Sequence, residues 1–249
     1  MNRRSSRLKE FSRRTATQLV PAGAGPFDGS IVALAAKMDV MIDHLVYASN
    51  DLPNASATAA ALLGAVPTPG GHHVGKGTYN ELVSLGGATY LEVIGPDPQQ
   101  PAPDGPRPFG IDRLSGPALV AWCVRPRRPL AQIVEQARAA GIELGGVSAM
   151  SRRRPDGVVL EWELTRPQLD GPFGLALPFL IDWGESAHPT DALAAGVDLV
   201  ELTVAHPRPD ELRAALDIIG IGTSVSVEEG APALRARIAT PRGEVSLTS

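Results

Sequence analysis

The sequence predicts an α+β fold in which repeated βαβββ modules form curved mixed sheets around a cup-shaped cavity. Three observations point there. Short β-branched and aromatic runs recur along the chain. Each Ala- and Leu-rich helical stretch is followed by several such runs, where a doubly wound parallel sheet would alternate one strand with one helix. The order strand, helix, strands occurs three times, at a period of roughly 75 residues.

The first copy opens at Ile42–Ala48, an apolar run broken only by Asp43 and His44. Asn50-Asp51 offers a helix cap, Pro53 suits the opening turn, Ala55–Leu63 is the helix, and Gly64 stops it. A Gly/Pro-rich stretch holding a weak strand pattern (70–74) leads to a strand at Asn80–Leu85. Gly86-Gly87 then turns the chain into Thr89–Ile94, which Gly95-Pro96 ends. Residues 95–117 are crowded with Pro and Gly and read as a linker. The second copy has a strand at Leu119–Val124, a helix at Leu130–Ala140, and strand patterns at Glu143–Val147, Val158–Thr165 and Pro178–Trp183. After a loop at 184–196, the third has a strand at Leu199–Ala205, a helix at Asp210–Ile219, and strands near Val225, Leu234–Ala239 and Val245–Leu247. The expected organisation is therefore a first module with its linker (41–117), a second (118–195) and a third, shorter one (196–249). A module's concave face needs a partner, so modules should pair, and the cup between them is where a ligand would go.

Residues 1–37 carry seven Lys and Arg against Glu10 and Asp28, whereas the remainder is acidic, within a formal net charge of −4. This head is expected to be a disordered basic extension, or to precede the true start at Met38 or Met41. Ser12-Arg13-Arg14 lacks the following apolar stretch of a twin-arginine signal. The acidic body gives no reason to expect nucleic acid as a partner. No apolar run reaches the ~20 residues that span a membrane. The single cysteine, Cys123, excludes an intrachain disulfide and a Cys-rich zinc cluster, and its apolar setting favours burial over reactivity. A cytoplasmic protein, with a homodimer as one open arrangement, is expected.

Strand alternation sorts the polar residues. His44 shares a face with Ile42, Val46 and Ala48, and Asp43 takes the other with Leu45 and Tyr47. Tyr90, Glu92 and Ile94 share a face. A buried carboxylate must be protonated, hydrogen-bonded, paired or bound to an ion, and a His with a Glu suits Zn, Fe, Mn or Ni. On spacing alone a hydrogen-bonded core His is the commoner reading. His72 and His73, in a Gly-rich stretch, are either surface groups or substrate contacts. Asn80 is either a ligand donor or a turn residue, and Glu161 and Glu163 read as a solvated strand face sooner than as an acid/base pair. Arg152–Arg154, before Pro155-Asp156-Gly157, read most simply as an exposed turn, with an anion clamp as the lesser alternative.

Several segments together carry a family likeness: Asp43-His44-Leu45-Val46-Tyr47-Ala48; Pro69-Gly70-Gly71-His72-His73 with Gly77-Thr78-Tyr79-Asn80; Tyr90-Leu91-Glu92-Val93-Ile94-Gly95-Pro96; Leu177–Gly184 with His188-Pro189; and Thr240-Pro241-Arg242-Gly243. Over residues 41–249 the chain resembles glyoxalase-like domain proteins of the vicinal oxygen chelate superfamily. The resemblance implies a divalent metal held by the first and last strands of paired modules. His44 and Glu92 then match the ligands of the first module, and Asp182 is the stand-in from the second, whose opening strand has Ala121, Trp122 and Cys123 where His or Gln is expected. Glu92 is also the candidate base, and His73, Asn80, Trp183 and His188 are the candidate substrate contacts. The implied function is metal-assisted chemistry of lyase, isomerase or dioxygenase type on a small oxygen-bearing metabolite. The alternative is a metal-free protein that sequesters a small molecule, as resistance proteins of the superfamily do.

Overall fold

The computed structural model describes residues 40–249; the basic head lies outside the described residues. The first module runs β1 (Val40–Ala48), α1 (Leu52–Leu63), β2 (Thr68–His73), β3 (Thr78–Ser84), β4 (Tyr90–Pro96). Asp51 caps α1 by accepting from the Asn54 N–H, and Gly64, in the left-handed region, closes it. The second module repeats the order as β5 (Ala118–Pro126), α2 (Leu130–Ala139), β6 (Val147–Arg153), β7 (Val159–Thr165), β8 (Phe179–Asp182). Its β6 starts where a strand at Glu143–Val147 was expected to end. The residues read as an exposed basic turn, Arg152 and Arg153, are therefore ladder residues opposite Leu160 and Val159.

The two modules close one eight-stranded barrel in the order β1-β4-β3-β2-β6-β7-β8-β5. Within each module the first strand pairs parallel with the last, β1 with β4 and β5 with β8. The modules join along antiparallel seams, β1 with β5 and β2 with β6. Alternation then splits the apolar residues into two cores. An inner cluster includes Val46, Tyr90, Ile94, Cys123, Trp162, Phe179, Ile181 and Trp183. An outer one holds Leu45, Tyr47, Leu91, Trp122, Val124 and the helix faces.

The third segment, β9 (Asp198–His206), α3 (Pro209–Ile219), β10 (Ser226–Glu229), β11 (Ala233–Thr240), β12 (Gly243–Thr248), has the expected order of elements. Its strands pair differently, in a separate sheet ordered β10-β9-β11-β12, with β9 parallel to the strand straight after its helix. It is therefore a sheet of another topology, where a third copy of the first two was expected. Leu202, Val204, Leu234, Ala236 and Ile238 join the outer core. That apolar cover lets strands β1 and β5 be buried on both faces.

The two loops also serve the barrel. The linker sends Phe109, Ile111 and Leu114 to the inner cluster, and the 184–196 loop sends Leu193. Phe109 is the only non-glycine described residue with positive φ (59°), and its ring lies 5.8 Å from Phe179. This contact holds a backbone conformation that costs a bulky residue about 1 kcal/mol or more.

Candidate functional site

The polar residues inside the barrel form one connected set, and its anchor is Asp43. A register shift between Ile42 and His44 leaves Asp43 as an extra residue in β1 opposite β5. The bulge breaks simple alternation, so Asp43 joins the same polar network as His44 and does not pack with Leu45 and Tyr47. Fully buried, it meets His44 Nδ1 at 2.7 Å through Oδ1, and accepts from Trp183 Nε1 and His188 Nε2, both at 3.1 Å, through Oδ2. Arg125 Nε stands 3.6 Å away. Burial pushes the Asp43 carboxyl up, but hydrogen bonds from His188 and His44, with their charges, outweigh it and hold it below the usual carboxylate range. An ionised carboxylate only accepts, so His44 Nδ1 carries a proton and its Nε2 faces the other way.

That Nε2 lies 3.8 Å from Glu92 Oε2. The other Glu92 oxygen, Oε1, accepts from Asn80 Nδ2 at 2.6 Å and lies 3.7 Å from His73 Nε2. The orientation of Asn80 follows from Arg152, which can only donate: its Nη1 gives a 2.9 Å hydrogen bond to Asn80 Oδ1. Asn80 Nδ2 therefore faces Glu92 and, at 3.5 Å, His73 Nε2. Burial lowers the His73 pKa to about 4, with the Arg152 and His44 charges adding to the shift and Glu92 opposing it. His73 is thus neutral near pH 7, accepting at Nε2 and donating from Nδ1 to Thr78 Oγ1 at 3.0 Å. Two imidazole Nε2 atoms with one carboxylate between them are the centre of the site.

Glycine at position 70 makes this approach feasible. A Cβ there would collide with Asn80 Oδ1 and lie 2.7 Å from Arg152 Nη1. Tyr90 stacks on His44 at 4.7 Å, with Phe179 at its edge at 5.4 Å. Burial raises the Tyr90 pKa well above its ordinary value, so the phenol stays protonated.

Strand pairing matches the two modules position by position. His44 is opposite Tyr90 in the β1–β4 ladder, and Cys123 is opposite Phe179 in the β5–β8 ladder. Cys123 also faces His44 across the seam. Cys123 is thus the counterpart of His44, and Ile181, two residues after Phe179, is the counterpart of Glu92. The β3–β4 and β7–β8 ladders set Leu82 opposite Glu92 and Leu164 opposite Ile181. Trp162 then corresponds to Asn80, and Arg152 to His73.

This corrects the stand-in role expected of Asp182. Alternation along β8 turns Phe179 and Ile181 inward, and leaves Asp182 exposed, opposite Glu163 and accepting from the Gly184 N–H. Of the other expected contacts, His73 and Asn80 lie in the centre beside Glu92. Trp183 and His188 are reached through Asp43, which they help to orient; His188 also meets Thr190 Oγ1 at 2.7 Å. His72 points elsewhere, to Asp97 at 2.6 Å. Glu161 and Glu163 are exposed, as their pattern indicated.

Asp43, His44 and Cys123 also bring one candidate metal-binding atom each within 4.8 Å of one another. Burial raises the Cys123 thiol well above its ordinary value and keeps it protonated, and Asp43 already serves three donors. His44 Nε2 and His73 Nε2 also each lie near a Glu92 oxygen, at 3.8 and 3.7 Å, though these three residues do not bring one atom each within 4.8 Å of one another. Sequence reasoning missed the roles of Asp43 and Trp162, and placed Arg152 in an exposed turn. The Asp-His pair inside an apolar strand was the available signal for Asp43; the triple Arg masked Arg152.

A family model described as a glyoxalase-like domain matches residues 42–219. No curated protein matches the sequence. Among solved structures, a hypothetical protein from Staphylococcus aureus is 14% identical, with 84% of this chain and 85% of that one covered at a TM-score of 0.53. That likeness is one of fold. Methylmalonyl-CoA epimerase from Streptomyces coelicolor is 19% identical over 60% of this chain and 98% of that one, with a TM-score of 0.39. A 4-hydroxymandelate synthase mutant from the same organism is 14% identical, over 83% and 62%, with a TM-score of 0.41.

Proposed function

Because the chain belongs to the glyoxalase-like domain family of the vicinal oxygen chelate superfamily, we propose that it is an enzyme acting on a small oxygen-bearing metabolite, with His44, His73 and Glu92 as its reaction centre. One observation carries this reading. Two imidazole Nε2 atoms, each fixed by a partner at its Nδ1, converge on one buried carboxylate at 3.8 and 3.7 Å. The Asn80 NH₂ already stands between His73 Nε2 and Glu92 Oε1. His44 Nε2 and Glu92 Oε2, however, face each other directly, and two lone pairs so placed in a dry interior need a cation or a proton there.

A divalent cation suits this donor set. Two imidazoles and a carboxylate are common ligands of Zn, Fe, Mn and Ni. Each imidazole–carboxylate separation is short enough for an ion to bridge with bonds of about 2.1 Å. His44, His73 and Glu92 do not gather three donor atoms within 4.8 Å of one another as Asp43, His44 and Cys123 do, so holding one ion would require these side chains to draw together. Such an ion, when bound, supplies a Lewis acid that polarises a substrate oxygen. The chain's own groups do the rest. Asn80 holds Glu92 Oε1, which leaves Oε2 as the oxygen that takes a proton from substrate. Asp43 keeps His44 in the tautomer that presents Nε2. Tyr90, Phe179 and Trp162 exclude water from the same interior. The metal decides the reaction class. Zn, Mn or Ni would direct the site to proton transfer of lyase or isomerase type. Iron on two His and one carboxylate would suit a dioxygenase.

The β5 and β8 counterparts, Cys123 and Ile181, favour a second reading in which the barrel binds a small molecule without any ion. Metal analysis of protein purified without chelator separates the two. About one equivalent of metal, absent from His44→Ala and Glu92→Gln, supports the enzyme. Its absence from the wild-type protein leaves the metal-free binder.

A further inference from the structure

The half of the barrel built by the second module has its own polar pair, and it differs in character from the first. The counterparts of His73 and Asn80 are Arg152 and Trp162, which replace two groups able to accept hydrogen bonds with two that only donate. Both are inside: Arg152 is 3% exposed and Trp162 8%. Arg152 Nε and Trp162 Nε1 are the two buried side-chain polar atoms without a hydrogen-bond partner among the described residues. The other two tryptophans differ, Trp122 donating to Ala176 O and Trp183 to Asp43. Arg152 also takes part in no ion pair among the described residues; Asn80 stands between it and Glu92. A buried guanidinium in no direct ion pair, its Nε unused and Glu92 reached only through Asn80, beside an unused indole N–H, is costly to keep unless something negative binds there.

Their placement makes them one site. Arg152 is opposite Leu160 and Trp162 opposite Met150, so the two are diagonal neighbours on the inner face, within reach for long side chains. The Trp162 ring lies 6.4 Å from His73. A groove of about 310 Å³, lined by Arg152, Arg154, Asp156, Leu82 and Leu160 among others, opens at the surface beside Arg152. Its volume suits a small molecule.

We propose that Arg152 and Trp162 bind the carboxylate of a small organic acid, and so present its neighbouring carbon and oxygen to Glu92, His44 and His73. The proposal deepens the function proposed above and rests on it. A division of labour between the modules follows: the first reacts, the second holds the anion. It also accounts for the loss of metal-ligand types from β5 and β8, since one half of the barrel has turned to substrate recognition.

The test uses the full chain labelled with ¹⁵N and titrated with pyruvate, glycolate, the neutral ester methyl pyruvate, and sulfate. Three indole N–H signals are expected, with Trp162 identified as the one lost in Trp162→Phe. One of the two acids should move that signal downfield saturably and leave the other two in place. Trp162→Phe and Arg152→Gln should each weaken the acid about tenfold or more, the loss of a hydrogen bond to a charged group. Trp162→Phe keeps the ring, so it remains informative if Arg152→Gln does not fold. The proposal is overturned if neither acid moves the Trp162 signal. It is also overturned if methyl pyruvate or sulfate binds as tightly as the acids, or if Trp162→Phe leaves acid affinity unchanged. Cobalt titration of the same samples keeps the two readings apart. Acid binding without cobalt binding removes the metal centre and leaves this subsite standing; cobalt binding without acid binding does the reverse.

Discussion

Replacing Asp43 with Asn probes the site at its least visible joint. The carboxylate serves three donors, His44 Nδ1, Trp183 Nε1 and His188 Nε2. An amide keeps one acceptor oxygen and brings an NH₂ group in place of the other. With the oxygen toward Trp183 and His188, the NH₂ faces His44 Nδ1 and drives its proton to Nε2, the atom aimed at Glu92. Each bond also loses its charge assistance, about 1 kcal/mol apiece. Part of that returns because a buried charge no longer needs to be desolvated. A net loss of about 2 kcal/mol is expected, or a Tm lower by roughly 4–8 °C for a chain of this size. Metal affinity should fall about 10- to 100-fold, as when the outer partner of a ligating His is altered. Thermal unfolding, cobalt titration and ¹⁵N detection of the His44 tautomer are the assays. Acid behaviour follows with a definite sign. The folded carboxyl titrates below its unfolded value of about 3.9, so its contribution is complete above that pH and is lost as pH falls further; Asp43→Asn should lack that loss. A variant of unchanged Tm whose His44 still carries its proton on Nδ1 would refute the reasoning.

Three other outcomes follow from the same geometry. His73 is held neutral with a pKa of about 4, against about 6.5 unfolded. The unfolded chain therefore binds the extra proton between these values, and stability falls as pH drops from about 6.5 to 4, by up to about 1.4 kcal/mol per pH unit. Urea unfolding at pH 5 and 7 should show this slope for the wild-type protein, and His73→Asn should flatten it. Gly70→Ala puts a methyl group against Asn80 and Arg152; it should cost about 1–3 kcal/mol and lower cobalt affinity through Glu92, and equal affinity would contradict the close packing assigned there. Cys123, fully buried with its thiol pKa well above the ordinary value, should resist Ellman's reagent until the protein unfolds. Rapid labelling of the native chain would contradict its place in the inner core.

Much of the architecture was legible because it rests on local rules. Asp51, Pro53 and Gly64 announced α1, and Gly86-Gly87 announced the turn into β4. His44 and Glu92 stood out because an imidazole and a carboxylate in apolar strands must find partners. What could not be read depends on register. One inserted residue in β1 moved Asp43 from its expected face into the His44 network, and no local pattern marks where a bulge falls. Starting β6 four residues late turned Arg152 from a turn residue into a barrel residue. Asp182 failed for the converse reason: acidic and close to Ile181 in sequence, it is one position out of phase with the inner face. The third segment repeated the order of elements but not their pairing, and pairing is a long-range property. His73 was hardest to place, since β2 reaches Glu92 only across β3, two strands away in the sheet.

The central claim is that the reaction centre is complete within the first module, and a cobalt titration of single variants tests it most directly. The wild-type protein should develop a ligand-field absorption saturating at about one equivalent of Co²⁺. His44→Ala, His73→Ala and Glu92→Gln should lose it, and Asp182→Ala should match the wild-type protein in intensity and midpoint. Retention by His73→Ala, or its loss in Asp182→Ala, would contradict the account and return the missing ligand to the second module.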